Sequence, residues 1–260
     1  MSLLTLSNIA HLYFSKNTYT KALDQISFQV KKGEFISLLG PSGCGKSTIL
    51  SIIAGLIQPT SGEVLVNEAS TNTSNQLTGY MLQQDYLFPW KTVLDNILLG
   101  PQIRKQQNAS MRERANQLLE EVGLPNVADL YPHSLSGGMR QRAALVRTLI
   151  TEPEILLLDE PFSALDYQTK LKLEDLVFKM LRTYHKTAIL VTHDIGEAIS
   201  MSDRIIVMRA NPGTIAKIFD VPIEIRNEIP FLVRRHQKYD LLFDKIWNEL
   251  NQQEAKSAPE

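Results

Sequence analysis

The chain has 260 residues, of which 43% are hydrophobic and 21% charged, and its formal net charge is -1. These values are typical of a globular protein with one large domain, or with a core and a smaller satellite. Because no basic excess is present, composition gives no support to nucleic-acid binding. The apolar runs fall short of the roughly 18 residues that cross a bilayer, and the amino terminus lacks a cleavable signal pattern. We therefore expect a cytoplasmic protein that meets a membrane only through a partner.

Strands and helices alternate along the chain. Patterns of apolar residues between turn residues predict strands at residues 3–8, 26–34 and 62–67, and a polar turn at residues 70–76. The continuous apolar run at residues 35–40 suits a central strand buried on both faces of a parallel sheet. Runs of the same character lie at residues 154–160, 187–194 and 204–208. The alternation predicts an α/β domain.

Amphipathic helices are predicted between these strands. Ser110 and Glu113 have the spacing of a capping box, as do Asp194 and Glu197 before a later helix. Ser136 is expected to begin another helix. Residues from about 86 to 150 contain no convincing strand, so we expect them to form a helical subdomain inserted into the α/β core.

The residues after Pro230 form a separate final segment, 231–260. Its apolar residues have the spacing of one helix face; they are Tyr239, Leu242, Phe243, Ile246 and Leu250. The polar residues 251–260 are predicted to be disordered.

The stretch "GPSGCGKS" fits the pattern G-x-x-x-x-G-K-[ST] and lies between a buried strand and a helical run. Glycines at 40, 43 and 45 let backbone N–H groups turn toward phosphate oxygens. In such a loop Lys46 pairs with the β and γ phosphates and Ser47 ligates magnesium. A glycine-rich turn without a ligand is the alternative, but the strand, loop and helix context favours a nucleotide.

Polar residues follow two other buried strands. Asp159 and Glu160 end one of them, at the sheet edge where open α/β sheets place their ligands; Asp159 could hold magnesium and Glu160 could polarise a water. Alternatively, they are solvated loop acids. His193 follows the next strand, either to contact a γ phosphate and orient Glu160 or as a turn residue beside the helix cap Asp194.

Gln83 ends the apparent strand "GYMLQ", where its amide could ligate magnesium or could simply be a polar strand end. The apolar cluster of Leu87, Phe88 and Trp90 follows it. This cluster is either core of the helical satellite or a docking groove for a partner.

The stretch "SLSGGMRQR" at residues 134–142 predicts a second anion site. Ser136, Gly137 and Gly138 begin a long helix, and a helix amino terminus carries about half a positive charge and free N–H donors. One chain therefore offers two places for phosphate.

These motifs, with "SALD" at residues 163–166, resemble in order and spacing the ATP-binding subunits of ABC transporters. The resemblance covers roughly residues 3–220, and "LSGGMRQR" is its most specific part because other P-loop ATPases and kinases lack it. It implies a P-loop NTPase (ABC ATPase) α/β core over residues 1–230, with an antiparallel β subdomain and the inserted helical subdomain. ATP and Mg²⁺ are the implied cofactors.

The resemblance also implies roles for individual residues. Tyr13 matches the aromatic residue that stacks on adenine, with Phe14 as the alternative. Gln83 and Asp159 match metal contacts, Glu160 the general base and His193 the switch histidine. The phosphate loop consists of Gly40, Pro41, Ser42, Gly43, Cys44, Gly45, Lys46, Ser47 and Thr48. Cys44 is the only cysteine; no phosphoryl transfer needs a thiol, but modification there is expected to block nucleotide binding.

Members of the family work as head-to-tail dimers. The resemblance implies that Ser136, Gly137 and Gly138 complete the ATP site of the second copy, and that Asp166 lies in the loop that crosses the interface. Met139 stands where the family more often has glutamine, which affects a side-chain contact and not the backbone donors before it.

The resemblance further implies transmembrane permease subunits that dock near Leu87, Phe88 and Trp90, and indirectly an external solute-binding protein, with no nucleic acid. The chain is most similar to importer ATPases for nitrate, sulfonates and taurine. We expect it at the cytoplasmic face of the cell membrane. The alternatives are a soluble ABC-type ATPase not coupled to transport and, with "LSGGMRQR" left unexplained, a small-molecule P-loop kinase.

Overall fold

Two β-sheets form the framework of the protein. The structure is a computed structural model that describes residues 2–16, 18–67, 69–70 and 77–257. The first sheet is antiparallel, with strand order β2, β1, β4, β5. Its strands are β1 (Ser2–Phe14), β2 (Tyr19–Lys31), β4 (Ser61–Val66) and β5 (Ala69–Ser70). The turn expected at residues 70–76 lies, apart from Ser70, outside the described residues.

The second sheet has six strands in the order β10, β9, β3, β8, β7, β6. They are β3 (Phe35–Leu39), β6 (Thr78–Met81), β7 (Ile155–Asp159), β8 (Thr187–Thr192), β9 (Arg204–Arg209) and β10 (Thr214–Asp220). All neighbours are parallel except β10 and β9. Every residue of β3 is buried, which confirms the prediction of a central strand.

Helices cover the parallel sheet. The longer ones are α1 (Lys46–Ile53), α4 (Ala109–Glu121), α5 (Gly137–Leu149), α6 (Tyr167–Thr183) and α10 (Gln237–Ser257). The shorter ones are α2 (Val93–Ile97), α3 (Leu99–Ile103), α7 (Ile195–Met201), α8 (Ile223–Arg226) and α9 (Pro230–Val233). Residues 82–154, all of which are described, hold α2 to α5 and a 3-10 turn without a strand. Within the described part of the chain, no helix has the length and apolarity to cross a membrane.

Two expectations about helix ends are wrong. Helix α4 is capped by Asn108 and not by Ser110, because Asn108 has the extended backbone of a cap and its side chain accepts a hydrogen bond from Met111 N at 2.9 Å. Ser110 donates to the same Asn108 oxygen. Helix α10 continues to Ser257, so the disorder expected from residue 251 does not begin there; residues 258–260 lie outside the description.

Helices α9 and α10 pack against the parallel sheet through a hydrophobic cluster. Leu242 and Ile246 of α10 are buried there with Val207 of β9 and Val233 of α9. A buried ion pair joins the same region to α6: Arg234 Nη1 lies 2.7 Å from Glu174 Oε2, whose side chain is 0% exposed. Burial raises the pKa of Glu174 to about 7, although the charge of Arg234 opposes the shift.

This raised pKa predicts a pH dependence of stability. Between the ordinary pKa of 4.5 and about 7 the folded protein holds a proton on Glu174 that the unfolded chain releases, so stability falls as pH rises through this window. Glu174→Gln cannot titrate. From pH 5 to pH 8 we expect the free energy of unfolding to shift by about 1–3 kcal/mol in favour of the variant.

Urea denaturation of both proteins at the two pH values measures this shift. Glu113→Gln, an exposed change on α4, controls for the general effect of pH. A difference between Glu174→Gln and wild type that stays constant with pH would contradict the assignment.

Candidate functional site

The phosphate loop follows β3 and leads directly into α1. Gly45 precedes the helix with φ 89°, and a Cβ there would lie 2.4 Å from Leu23 Cδ2. Both the left-handed backbone and the close packing therefore require glycine. The loop thus presents its backbone without side chains at this position, which is what close approach of a phosphate needs.

Lys46 is the first residue of α1, directly after the loop's last glycine, and is largely buried. Its Nζ donates to Gly40 O at 2.7 Å and to Pro41 O at 2.9 Å. The ammonium group is therefore held among the loop's own carbonyls, beside the amino terminus of α1. A buried cation at a helix start is a suitable environment for an anionic ligand.

A set of oxygen donors lies next to the loop. Ser47 Oγ donates to Asp159 Oδ1 at 3.1 Å, and Tyr80 OH donates to Asp159 Oδ2 at 3.2 Å. Burial raises the pKa of Asp159, and these two hydrogen bonds partly oppose the increase. Hydroxyl and carboxylate oxygens are the ligands that Mg²⁺ takes in proteins, so Ser47 and Asp159 fit a magnesium ion.

Two predicted residues, Gln83 and His193, contact the carboxylate of a third, Glu160. His193 Nδ1 lies 3.2 Å from Glu160 Oε2, and Gln83 Nε2 donates to the same oxygen at 3.4 Å. Glu160 has φ 46°, an uncommon backbone conformation for a non-glycine residue, and its N–H donates to Val191 O at 2.9 Å. Such outliers concentrate at functional sites, which agrees with the placement here.

The aromatic candidates for adenine stacking differ in position. Tyr13 OH lies 3.3 Å from Thr48 Oγ1, at the end of the phosphate loop, and its ring meets the His11 ring edge to face. Phe14 is 74% exposed. The structure therefore brings Tyr13 to the loop, and Tyr13 stays the better candidate.

The second anion motif lies at the surface. Ser136 is the cap of α5, accepting from Met139 N at 3.3 Å, and both Ser136 and Gly137 are exposed. Among the described residues, no hydrogen bond or ion pair joins residues 136–138 to the phosphate loop of the same chain. Asp166, the exposed cap of α6, accepts from Thr169 N at 3.1 Å.

The apolar cluster after Gln83 divides between core and surface. Leu87 is 7% exposed and belongs to the hydrophobic core, so the structure corrects its assignment as a docking residue. Phe88 is 36% and Trp90 71% exposed, with ring centroids 5.2 Å apart. These two rings form the surface patch, which we call the aromatic patch.

Sequence reasoning missed the residues that support these groups. The fully buried Asn96 accepts from Phe88 N at 2.7 Å and donates to Phe88 O at 3.1 Å, which fixes the backbone of the aromatic patch. Tyr80 holds Asp159. An asparagine in the stretch "TVLDN" and a tyrosine in a strand have no spacing signal, because their hydrogen-bond partners are fixed only when the neighbouring loop and strands have folded.

The fold and the converging residues define a P-loop nucleoside triphosphatase. The sequence profile described as ABC transporter matches residues 23–163. The chain belongs to the ABC transporter ATP-binding family. It is an ATPase that uses ATP with Mg²⁺, and the predicted fold class, activity and cofactors are confirmed.

Individual relatives resemble the chain along most of its length. It is 55% identical to the uncharacterized ABC transporter ATP-binding protein YtlC of Bacillus subtilis, covering 96% of both chains. It is 36% identical to the taurine import ATP-binding protein TauB of Roseobacter denitrificans, covering 94% of this chain and 95% of the relative. The solved dimeric post-hydrolysis state of the cassette MJ0796, bound to ADP and Pi, matches with a TM-score of 0.75 and 35% identity, covering 84% and 99% of the two chains.

Modification of Cys44 was expected to block nucleotide binding, but its side chain is fully buried, so reagents do not reach the thiol in the folded protein. Burial also raises the pKa of the thiol, which lowers the thiolate fraction that reacts. We predict that a bulky maleimide leaves the folded protein unlabelled and its ATP binding intact, while urea-unfolded protein takes up one label. Intact mass measures both states, and rapid labelling of the folded protein would contradict this burial.

Proposed function

We propose that this chain is the ATP-hydrolysing subunit of a membrane importer for a small solute, such as nitrate, taurine or another sulfonate. The observation that carries the proposal is the match, over nearly the full length of both chains, to a relative named for taurine import. The proposed domain division assigns residues 1–230 to the ABC ATPase domain, with the helical subdomain at about 86–150. The C-terminal helix and tail occupy residues 231–260.

The proposed nucleotide site combines the phosphate loop with the ends of β7 and β8. Residues 40–48 enclose the phosphates, and Lys46 pairs with their charge. Ser47, Asp159 and Gln83 would hold Mg²⁺, which when bound would supply positive charge beside the β and γ phosphates. Tyr13 packs against the base. The short distance between Ser47 and Asp159 supports this grouping.

In the proposed chemistry Glu160 accepts a proton from the attacking water, as a general base does. His193 lies within reach of the same carboxylate and orients it toward the γ phosphate. Gln83 donates to the same carboxylate of Glu160 and would also be a ligand of Mg²⁺. The carboxylate of the base is therefore positioned by two neighbours that come from different segments of the chain.

The second copy of the chain supplies the remaining part of each site. Ser136 and Gly137 are exposed and Gly138 is partly exposed at the start of a 13-residue helix, and within the described residues none has a hydrogen bond to its own phosphate loop. We assign them to the γ phosphate bound by the partner in a head-to-tail pair, with Asp166 crossing the interface. The dimeric state named for the solved MJ0796 cassette supports assembly into a dimer.

The aromatic patch is the proposed docking site for the permease subunits. Its loop is tied to the helix that carries the second anion motif: Arg147 of α5 donates to Asp85 O at 2.5 Å and Tyr86 O at 2.8 Å. Movement of a docked permease segment is thereby passed to α5. Under this proposal the protein lies at the cytoplasmic face of the membrane, attached through the permease and only indirectly linked to an external solute-binding protein.

Replacing the proposed base tests the ATP-sandwich mechanism. Glu160→Gln keeps the size and contacts of the side chain but cannot accept a proton, so ATP remains bound and the closed dimer persists. We expect gel filtration with ATP and Mg²⁺ to show a doubled mass for the variant, and a monomer without ATP. A monomer in ATP would disprove the sandwich.

Removing the aromatic patch tests coupling to a permease. Phe88→Ala with Trp90→Ala is expected to leave ATP binding unchanged, because neither ring contributes to the nucleotide site, and to weaken co-purification with the co-expressed permease severalfold. Tyr19→Ala, which removes an aromatic ring on β2 as exposed as Trp90 (69% against 71%), is the control. Co-purification equal to that of the control would exclude the patch as the docking site.

A further inference from the structure

A largely buried group of charges lies behind the turn that carries His193. Lys170 Nζ lies 2.7 Å from Asp194 Oδ2 and 2.5 Å from Glu197 Oε1. The side chains of Lys170 and Glu197 are 16% and 4% exposed, whereas that of Asp194 is 39% exposed. Because Lys170 and Glu197 are mostly removed from water, removing the lysine would leave a buried acid and its more exposed neighbour without their shared cation.

The turn itself is closed by hydrogen bonds on both sides of His193. Thr192 Oγ1 accepts from Asp194 N at 3.0 Å and donates to Glu197 Oε2 at 2.5 Å. Asp194 Oδ1 accepts from Glu197 N at 3.1 Å and caps α7. Glu197 therefore does not complete the capping box expected from the sequence; its carboxylate bonds Thr192 and Lys170 instead.

Lys170 also belongs to the first turn of α6. Its backbone N–H donates to Asp166 O at 2.9 Å, and Asp166 is the residue assigned to the interface with the second copy. Although burial raises the pKa of Asp194, the hydrogen bond and charge of Lys170 bring it below its ordinary value. The carboxylate is thus ionised and available for the ion pair.

We propose that Lys170 is a positioning residue for ATP hydrolysis, whose ion pairs with Asp194 and Glu197 hold His193 within reach of Glu160. This rests on the roles proposed above for His193 and Glu160. The ion pairs and the backbone hydrogen bond of Lys170 go to residues outside the phosphate loop. Loss of its charge therefore slows the chemical step and leaves ATP affinity unchanged.

Steady-state ATPase kinetics of three variants test this role. Lys170→Met is expected to lower kcat about ten- to hundredfold, the range that misplacement of a reacting group by about 1 Å produces. Its KM for ATP should stay within about twofold of wild type, since only an interaction of the transition state is lost. Lys170→Arg keeps the charge and should restore most of kcat. Lys172→Met, an exposed change on the same helix, should match wild type.

A further variant, Asp194→Asn, tests the same ion pairs if circular dichroism shows that Lys170→Met does not fold. Asp194→Asn retains a good helix cap and leaves Lys170 paired with the buried Glu197, so the fold is kept. Its neutral amide weakens the contact with Lys170. We expect a smaller fall in kcat than for Lys170→Met, again with KM unchanged.

The proposal is overturned if folded Lys170→Met has wild-type kcat, if its KM rises in proportion, or if Lys170→Arg is equally slow. Should Lys170→Met not fold, wild-type kcat in Asp194→Asn overturns it. Glu160→Gln, measured alongside, separates the two hypotheses. Normal hydrolysis in Glu160→Gln disproves the proposed base, whereas an inactive Glu160→Gln together with a normal, folded Lys170→Met disproves only the positioning role.

Discussion

The parallel register of three strands is the constraint on which the rest of the site depends. Leu39 of β3 pairs with Thr192 of β8, and Asp159 of β7 pairs with Val191 of the same strand. The phosphate loop, the residues Asp159 and Glu160, and the turn that carries His193 therefore leave the sheet at one edge. Since β3, β7 and β8 are buried on both faces, a slip of one residue would move each side chain to the opposite packed face, where its shape does not fit. This packing cost keeps the three loops aligned.

The sequence predicted much of this arrangement because the strongest signals were local. Buried parallel strands appear as continuous apolar runs, and the phosphate loop is a contiguous motif that directly follows one of them. Both patterns were sufficient to place Lys46, Asp159 and His193 at the same sheet edge. The cap of α5 at Ser136 was likewise local, and the structure has it where the sequence indicated.

The residues that could not be predicted act on partners outside their own helix. Asn96 of α2 holds the backbone of Phe88 in the preceding loop, and Lys170 of α6 contacts Asp194, the cap of α7. Local competition explains the wrong helix cap, because Asn108 and Ser110 are both good cap residues only two positions apart. Leu87 could not be separated from its two neighbours, since an apolar tripeptide gives no information on which side chain turns inward.

One oxygen atom, Glu160 Oε2, has two neighbours that come from different segments of the chain. Gln83 approaches it from the segment that leads to the aromatic patch, while His193 approaches from the turn that Lys170 braces against α6. Under the proposed roles, the segment of Gln83 leads to the permease contact, and the turn of His193 is joined by Lys170 to the helix whose cap, Asp166, lies at the contact with the second copy. The position of one carboxylate oxygen is therefore connected to both of these subunit contacts.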